Sequence, residues 1–191
     1  EPNEGLRVFD RRLGRITEYS PELRVNGTAP GPQQAFSMAF LPGGRLVFAA
    51  QRNARTGIGL PLHLMDPTAR IVHSFGADPP ITEWGNPHKI WRTVAASGDS
   101  AVWAAHLTEY QVERWTLMGA RTHFFVGEVS WFKPQARFGR GSGPDAPPAP
   151  GLFRIHADPQ GWLWLAFLVP DPQWKSALKS TTGPSGQTRW V

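Results

Sequence analysis

Three stretches of this chain repeat one pattern. They are 44–50 (Gly-Arg-Leu-Val-Phe-Ala-Ala), 99–105 (Asp-Ser-Ala-Val-Trp-Ala-Ala) and 161–166 (Gly-Trp-Leu-Trp-Leu-Ala). In each, a turn-forming Gly or Gly-Asp pair precedes a run of β-branched and aromatic residues that closes on small ones. A second pattern alternates with the first, at 6–16, 62–72 and 112–121, each time an apolar run, a turn and a basic or β-branched return. Self-similarity at a long period constrains the architecture more than any single residue can, because each repeat is one supersecondary unit that buries its apolar face against its neighbours.

The 20 Gly and 19 Pro residues are spread between short β-rich runs rather than pooled in one tract. Such punctuation reads as an all-β chain. Alternation predicts strands at 6–8, 15–19, 36–40, 46–50, 62–65, 71–75, 91–95, 101–106, 110–115, 121–126, 153–157 and 162–168. The only helical signal is a turn or two over 174–180. Val47, Val102 and Leu163 are expected at equivalent buried positions, at intervals of 55 and 61 residues. A four-stranded propeller blade takes about 40–50 residues, so these repeats carry long loops.

The predicted organisation is one domain of about three blade equivalents. It comprises a hairpin at 6–20, blades at 36–75 and 90–126, a half blade at 152–168, a mobile Gly/Pro loop at 139–151 and a tail at 170–191. Closed propellers need four to eight blades, so these residues are not expected to close a ring. Unpaired sheet edges then require cover.

These motifs resemble bacterial six-bladed β-propellers of the NHL/TolB-like kind, and 14–19 (Gly-Arg-Ile-Thr-Glu-Tyr) is similar to the streptogramin-lyase branch of that group. The resemblance spans 6–20, 36–75, 90–126 and 152–168. It implies the propeller fold, and it leaves function open because propellers host unrelated activities. The lyase resemblance implies a catalytic His on an inner loop with acidic metal-binding neighbours, which directs attention to His106 with Glu109 and to His88. Propeller lactonases would imply Glu, Asn and Asp around a channel, for which Glu83, Asn86, Asp99 and Glu109 are the nearest matches.

The residues themselves argue against such chemistry. None of the six His residues has a second ligand at metal-binding spacing, and His106 reads as a strand-end residue bonded to backbone or facing water. Asp99 and Asp158 read as turn formers. Gly141-Ser142-Gly143 lacks the strand–turn–helix setting of a nucleophile elbow, and 181–186 lacks the Gly-Lys-Ser/Thr of a phosphate loop. Asn26-Gly27-Thr28 is a glycosylation acceptor in a host that glycosylates. With no Cys, thiolate chemistry and disulfides are excluded. No catalytic set, metal site or cofactor is therefore assigned.

The net charge of +5 suggests an acidic partner, but the 16 Arg residues are scattered without a basic run, so nucleic acid is not expected. The longest apolar stretch, 162–170, is too short to span a bilayer as a helix. The sequence begins Glu1-Pro2, as a cleaved signal peptide or a truncated chain would leave it, and the expectation is a periplasmic or secreted protein.

Nine Trp residues are unusual for this length. Trp91, Trp103, Trp115, Trp162 and Trp164 fall at repeat positions and are expected in the core. Trp84, Trp131, Trp174 and Trp190 fall in loops or the tail, where large rings mark docking surfaces. The expected function is thus a non-enzymatic, extracytoplasmic interaction subunit. It would dock on a larger complex such as a respiratory or photosynthetic membrane assembly, with no transmembrane segment of its own. The alternative is part of a propeller lyase or hydrolase.

Overall fold

A computed structural model describes residues 6–10, 12–32, 35–50, 60–77, 91–132, 147–177, 180–182 and 188–190. The chain is all-β and runs as a succession of antiparallel meanders. The first sheet is β1 (Leu6–Asp10), β2 (Arg15–Tyr19) and β3 (Val25–Pro30). The second is β4 (Ala35–Phe40), β5 (Leu46–Ala50), β6 (Leu62–Met65) and β7 (Ile71–Phe75). The third is β8 (Arg92–Ser97), β9 (Ala101–His106), β10 (Gln111–Thr116) and β11 (Arg121–Val126). The fourth is the hairpin β12 (Gly151–Ala157) and β13 (Leu163–Leu168). A single helical turn, α1 (Trp174–Ala177), and a small hairpin, β14 (Ser180–Thr182) with β15 (Thr188–Trp190), follow.

Turn chemistry explains where strands stop. Asp10, Asp66 and Asp158 each use Oδ1 to accept backbone N–H groups two to four residues ahead, the self-bonding that makes Asp a turn residue. Gly76 leaves β7 with φ +98°, and a Cβ there would lie 2.6 Å from the Leu62 side chain. Only glycine meets both demands.

Sheets stack face on face in chain order, and the first strands of successive sheets are neighbours: β4 packs on β8, and β8 on β12. Three apolar seams result. Phe9 and Ile16 of the first sheet meet Leu46, Phe48 and Met65 of the second. Val47, Ala49, Leu62, Leu64 and Phe75 meet Val94, Val102, Ala104 and Trp115 of the third. Ala95, Ala105, Val112 and the partly buried Trp103 meet Leu152, Ile155, Leu163, Leu165 and Phe167 of the fourth. Because β5 is sandwiched on both faces, all five of its residues are buried. This is an arrangement of propeller blades around an inner row of strands, and among the described residues the stack does not close.

The register corrects the repeat alignment by one residue. Leu46 pairs with Phe40 and Met65, Val102 with Ala96 and Trp115, and Leu163 with Ala157. Leu46, Val102 and Leu163 are therefore the equivalent set, each facing the preceding sheet. Val47 belongs instead with Trp103 and Trp164, facing the following sheet. A slip of one residue in a strand exchanges its faces. Leu163, expected to be as buried as the other two, is only half-buried.

Two further expectations fail at the same place. Trp162 and Trp164, expected in the core, are 70% and 62% exposed, because among the described residues the fourth sheet has a neighbouring sheet on one face only. Strand β3 carried no alternation that would have revealed it; it is an exposed strand at the edge of β2 and holds the Asn26 acceptor in the open. The Gly/Pro stretch 139–151 lies mostly outside the described residues, although Ala149 at its end is buried.

Candidate functional site

The seam between the second and third sheets changes character along its length. At one end it is apolar, around Val47, Val102 and Trp115. At the other, period-two alternation carries Arg92 of β8, His106 of β9 and Glu113 of β10 onto the same face as Val94, Ala104 and Trp115, and all three are buried. Burying charge is costly unless it is paired, and here it is paired several times over. Glu113 Oε2 accepts the Trp115 indole N–H at 3.2 Å, and Oε1 accepts from Arg121 Nη1 at 3.1 Å. Arg92 Nε lies 4.0 Å from Glu113 Oε2. His106 stands between two carboxylates, with Nε2 3.7 Å from Glu113 and Nδ1 3.4 Å from Glu109.

The electrostatics follow from this packing. Burial works against the charge on Glu113, but His106 and Arg92 outweigh it and hold the carboxyl at about 2. Burial lowers Arg92 to about 10, opposed by Glu113 and Glu109. Burial and the Arg92 cation hold His106 below its ordinary value despite both carboxylates, so the ring is neutral at pH 7. The cluster is an Arg–Glu ion pair flanked by a neutral imidazole.

Beside it, the first strands of three sheets frame a cleft of about 360 Å³, lined by Phe36 and Ser37 of β4, Trp91 and Thr93 at β8, and Phe153 and Arg154 of β12. Arg92 and Leu107 complete the wall, which places the cleft one residue from His106. The hydroxyls of Ser37 and Thr93 lie 3.3 Å apart and hold the strands together. The Trp91 indole nitrogen is buried without an acceptor.

His106 and Glu109 are thus brought together, but His106 is neither bonded to backbone nor facing water: it is 6% exposed against Glu113. Among the described residues no three His, Asp or Glu side chains converge as metal ligands; the two carboxylates approach opposite nitrogens of one ring. Asp99 is an exposed turn residue whose carbonyl accepts from Arg45. Asp158 caps its turn and also accepts the Trp164 indole N–H at 2.8 Å, which holds its carboxyl below the ordinary value. His88, Glu83, Asn86, Trp84 and 141–143 lie outside the described residues, and 181–186 does so in large part. Arg92 and Glu113 escaped the sequence reading, although an acid two residues from a repeat Trp on a strand shares that Trp's face, which was a usable signal.

Of the loop and tail Trp residues, Trp131 is 47% exposed and stands edge-on to Phe132 and Phe167. Trp174 is half-buried with Lys175 Nζ 5.6 Å from its ring centre. Trp190 contributes backbone to β15. Among the described residues, the two most exposed Trp rings, Trp162 and Trp164, are ones the sequence assigned to the core. On the outward face of the fourth sheet, Trp164 and Leu168 stand beside Trp162, Phe153 and Val169, all about half exposed or more.

No family model matches the chain, and no curated protein matches it in sequence. Among solved structures it is similar to a protein of unknown function from Bacteroides caccae, at TM-score 0.52 and 13% identity, over 99% of this chain and 58% of that one. It is also similar to virginiamycin B lyase from Staphylococcus aureus with quinupristin (0.46, 12%, 95% and 49%). A third is hydrazine synthase from Kuenenia stuttgartiensis (0.47, 10%, 98% and 46%). The chain spans about half the length of these proteins. Identities this low speak to fold and leave activity open; the fold is an all-β, propeller-like stack of antiparallel blades.

Proposed function

We propose that the chain is a non-enzymatic docking module, working outside the cytoplasm as part of a larger protein assembly. One observation carries this reading: on the outward face of β12–β13 Trp164 is 62% exposed, whereas Val47 and Trp103, at the same position of the preceding sheets, are buried and partly buried. Exposed aromatic rings interspersed with polar groups, here Arg154 and His156 on the same face, are a mark of interaction surfaces. The extracytoplasmic setting rests on the resemblance to bacterial propellers. Titration with an environment-sensitive dye such as anilinonaphthalene sulfonate is the test. The native chain binds it, and a Trp162→Ser/Trp164→Ser variant does not. Equal binding by both removes the reading.

A second reading, part of a propeller lyase or hydrolase, has His106 in its favour: a neutral imidazole can take up a proton, and this one lies one residue from the cleft. Diethyl pyrocarbonate separates the two. Fast modification of His106 favours the catalytic reading, and protection in the folded chain excludes it.

A further inference from the structure

Where β10 begins and β11 ends, a cavity of about 180 Å³ is lined by Glu109, Tyr110, Gln111, Val126, Gly127 and Phe132. Two local features shape it. Tyr110 lies directly on the backbone at Gly127, where a Cβ would stand 2.3 Å from the ring, so glycine is what leaves the ring its place. The bridge between Val129 and Phe132 turns the chain back, and the Phe132 ring centre sits 5.8 Å from that of Tyr110, with the rings inclined at 56°. Phe167 meets both rings edge-on, at 4.9 and 5.6 Å, which fixes the pair in position.

The charge around this cavity runs against that of the chain. The net charge is +5, yet segments 107–113 and 126–132 hold three acids, Glu109, Glu113 and Glu128, and no Lys or Arg. Glu113 is answered by Arg92 and Arg121. Glu109 is not. Its Oε2 stands 3.4 Å from the neutral His106 ring, and among the described residues no Lys or Arg forms an ion pair with it. Its side chain is mostly buried. A carboxylate withdrawn from water without a counter-cation favours a cation that arrives from outside.

The walls select the kind of cation. Calcium takes about six to eight oxygen ligands, and among the described residues no three acidic or imidazole groups converge. A primary ammonium carries N–H donors that need acceptors, and the two rings supply none. A quaternary ammonium donates no hydrogen bond, and its charge is attracted to aromatic faces. Pockets for drug-sized ligands measure about 300–1,000 Å³, so this one takes a head group alone. We propose that it binds a small quaternary-ammonium compound, with Glu109 as the counter-charge and Tyr110 and Phe132 as the aromatic wall. The site is separate from the outward face of β12–β13, and it stands or falls independently of the docking reading.

Calorimetric titration of the chain with choline is the test, run beside dimethylbutanol, which keeps the shape of the choline head group and replaces its nitrogen with carbon. The expected result is saturable binding of choline, with dimethylbutanol weaker by about tenfold or more, the scale of a desolvated cation on an aromatic wall. Glu109→Gln should weaken choline by a similar factor and leave dimethylbutanol unchanged. Phe132→Leu, which keeps an apolar side chain and removes the ring, should weaken choline as well, with circular dichroism confirming that its sheets are intact. Absence of saturable choline binding overturns the proposal. So does equal affinity for the two probes, which marks an apolar hole without preference for a cation. A Glu109→Gln variant that binds choline as tightly as the native chain overturns it too.

Discussion

The seam between the second and third sheets and the outward face of the fourth sheet are built from the same repeat and have opposite surroundings. Val47 and Trp164 occupy one structural position, facing the following sheet; the first is fully buried and the second 62% exposed. Nothing in either strand's own residues causes the difference. An apolar residue stabilises in proportion to the surface it removes from water, and among the described residues no sheet takes the surface of Trp164. The inner seam also differs in its margin, where Arg92, His106 and Glu113 close one end with ionic contacts. A buried ion pair adds little net stability compared with apolar residues, but it penalises any misalignment that separates the partners. These contacts join the strands of the third sheet to one another and penalise a slip among them, whereas no such contact is found on the outward face of the fourth sheet among the described residues.

The largest way to break the comparison is Trp115→Ala. Trp115 is 2% exposed and its indole bonds Glu113, so the loss is expected at about 4 kcal/mol, within the range for buried large aromatics. Urea unfolding measures it, and a loss below about 1 kcal/mol would place Trp115 outside the seam's core.

Glu113→Gln should cost about 3 kcal/mol, because it leaves the Arg92 guanidinium buried without its counter-charge. The same cluster predicts a pH dependence. The folded protein holds His106 below its ordinary 6.5, so the unfolded chain binds the proton first, and stability present above pH 6.5 declines as the pH falls below it. Glu113, at about 2 against an ordinary 4.5, adds a second decline from pH 4.5 down to about 2. Thermal unfolding across pH 2–8 should show both, and His106→Asn should remove the upper one and narrow the lower, because His106 helps to hold Glu113 down. An upper decline that survives His106→Asn assigns it to another group.

Trp103→Ala comes next, at about 2 kcal/mol. Its ring is partly buried against the fourth sheet and also meets His123, Phe125 and the Arg114 guanidinium, so part of its surface stays wet in the native state. The smallest effect belongs to Trp164→Ala, expected under about 0.5 kcal/mol at dilutions where the chain is single, as for other exposed sites. A loss as large as that of Trp103 would mean that the outward face is already covered within the chain.

Much of the architecture was legible in the sequence. The turns at Asp10, Asp66 and Asp158 and the runs beside them announced the hairpins, because turn residues and period-two alternation act locally. Burial of Trp115 and partial burial of Trp103 followed from their repeat positions. The expectation for Trp162 and Trp164 failed although they carry the same pattern, because a pattern specifies which face is apolar and says nothing about what lies opposite it. The one-residue slip between Val47 and Val102 has a related cause: the Val-Trp-Ala-Ala and Val-Phe-Ala-Ala strings align by eye, whereas five residues separate Phe40 from Leu46, Ala96 from Val102 and Ala157 from Leu163, and those pairings set the true register. Of the candidate site, the His106–Glu109 approach could be anticipated from three-residue spacing, but Arg92 comes from another strand and no local rule connects it to Glu113.

By itself, then, the sequence determined the all-β class, the hairpins, their turns and the repeat, since these depend on interactions a few residues long. The tertiary structure alone decided which repeat positions are dry, where the Arg92–Glu113 pair sits and which aromatic face is left open. Those outcomes depend on which sheet stands next to which, and the burial of charge or of an indole ring is settled by its neighbours in space.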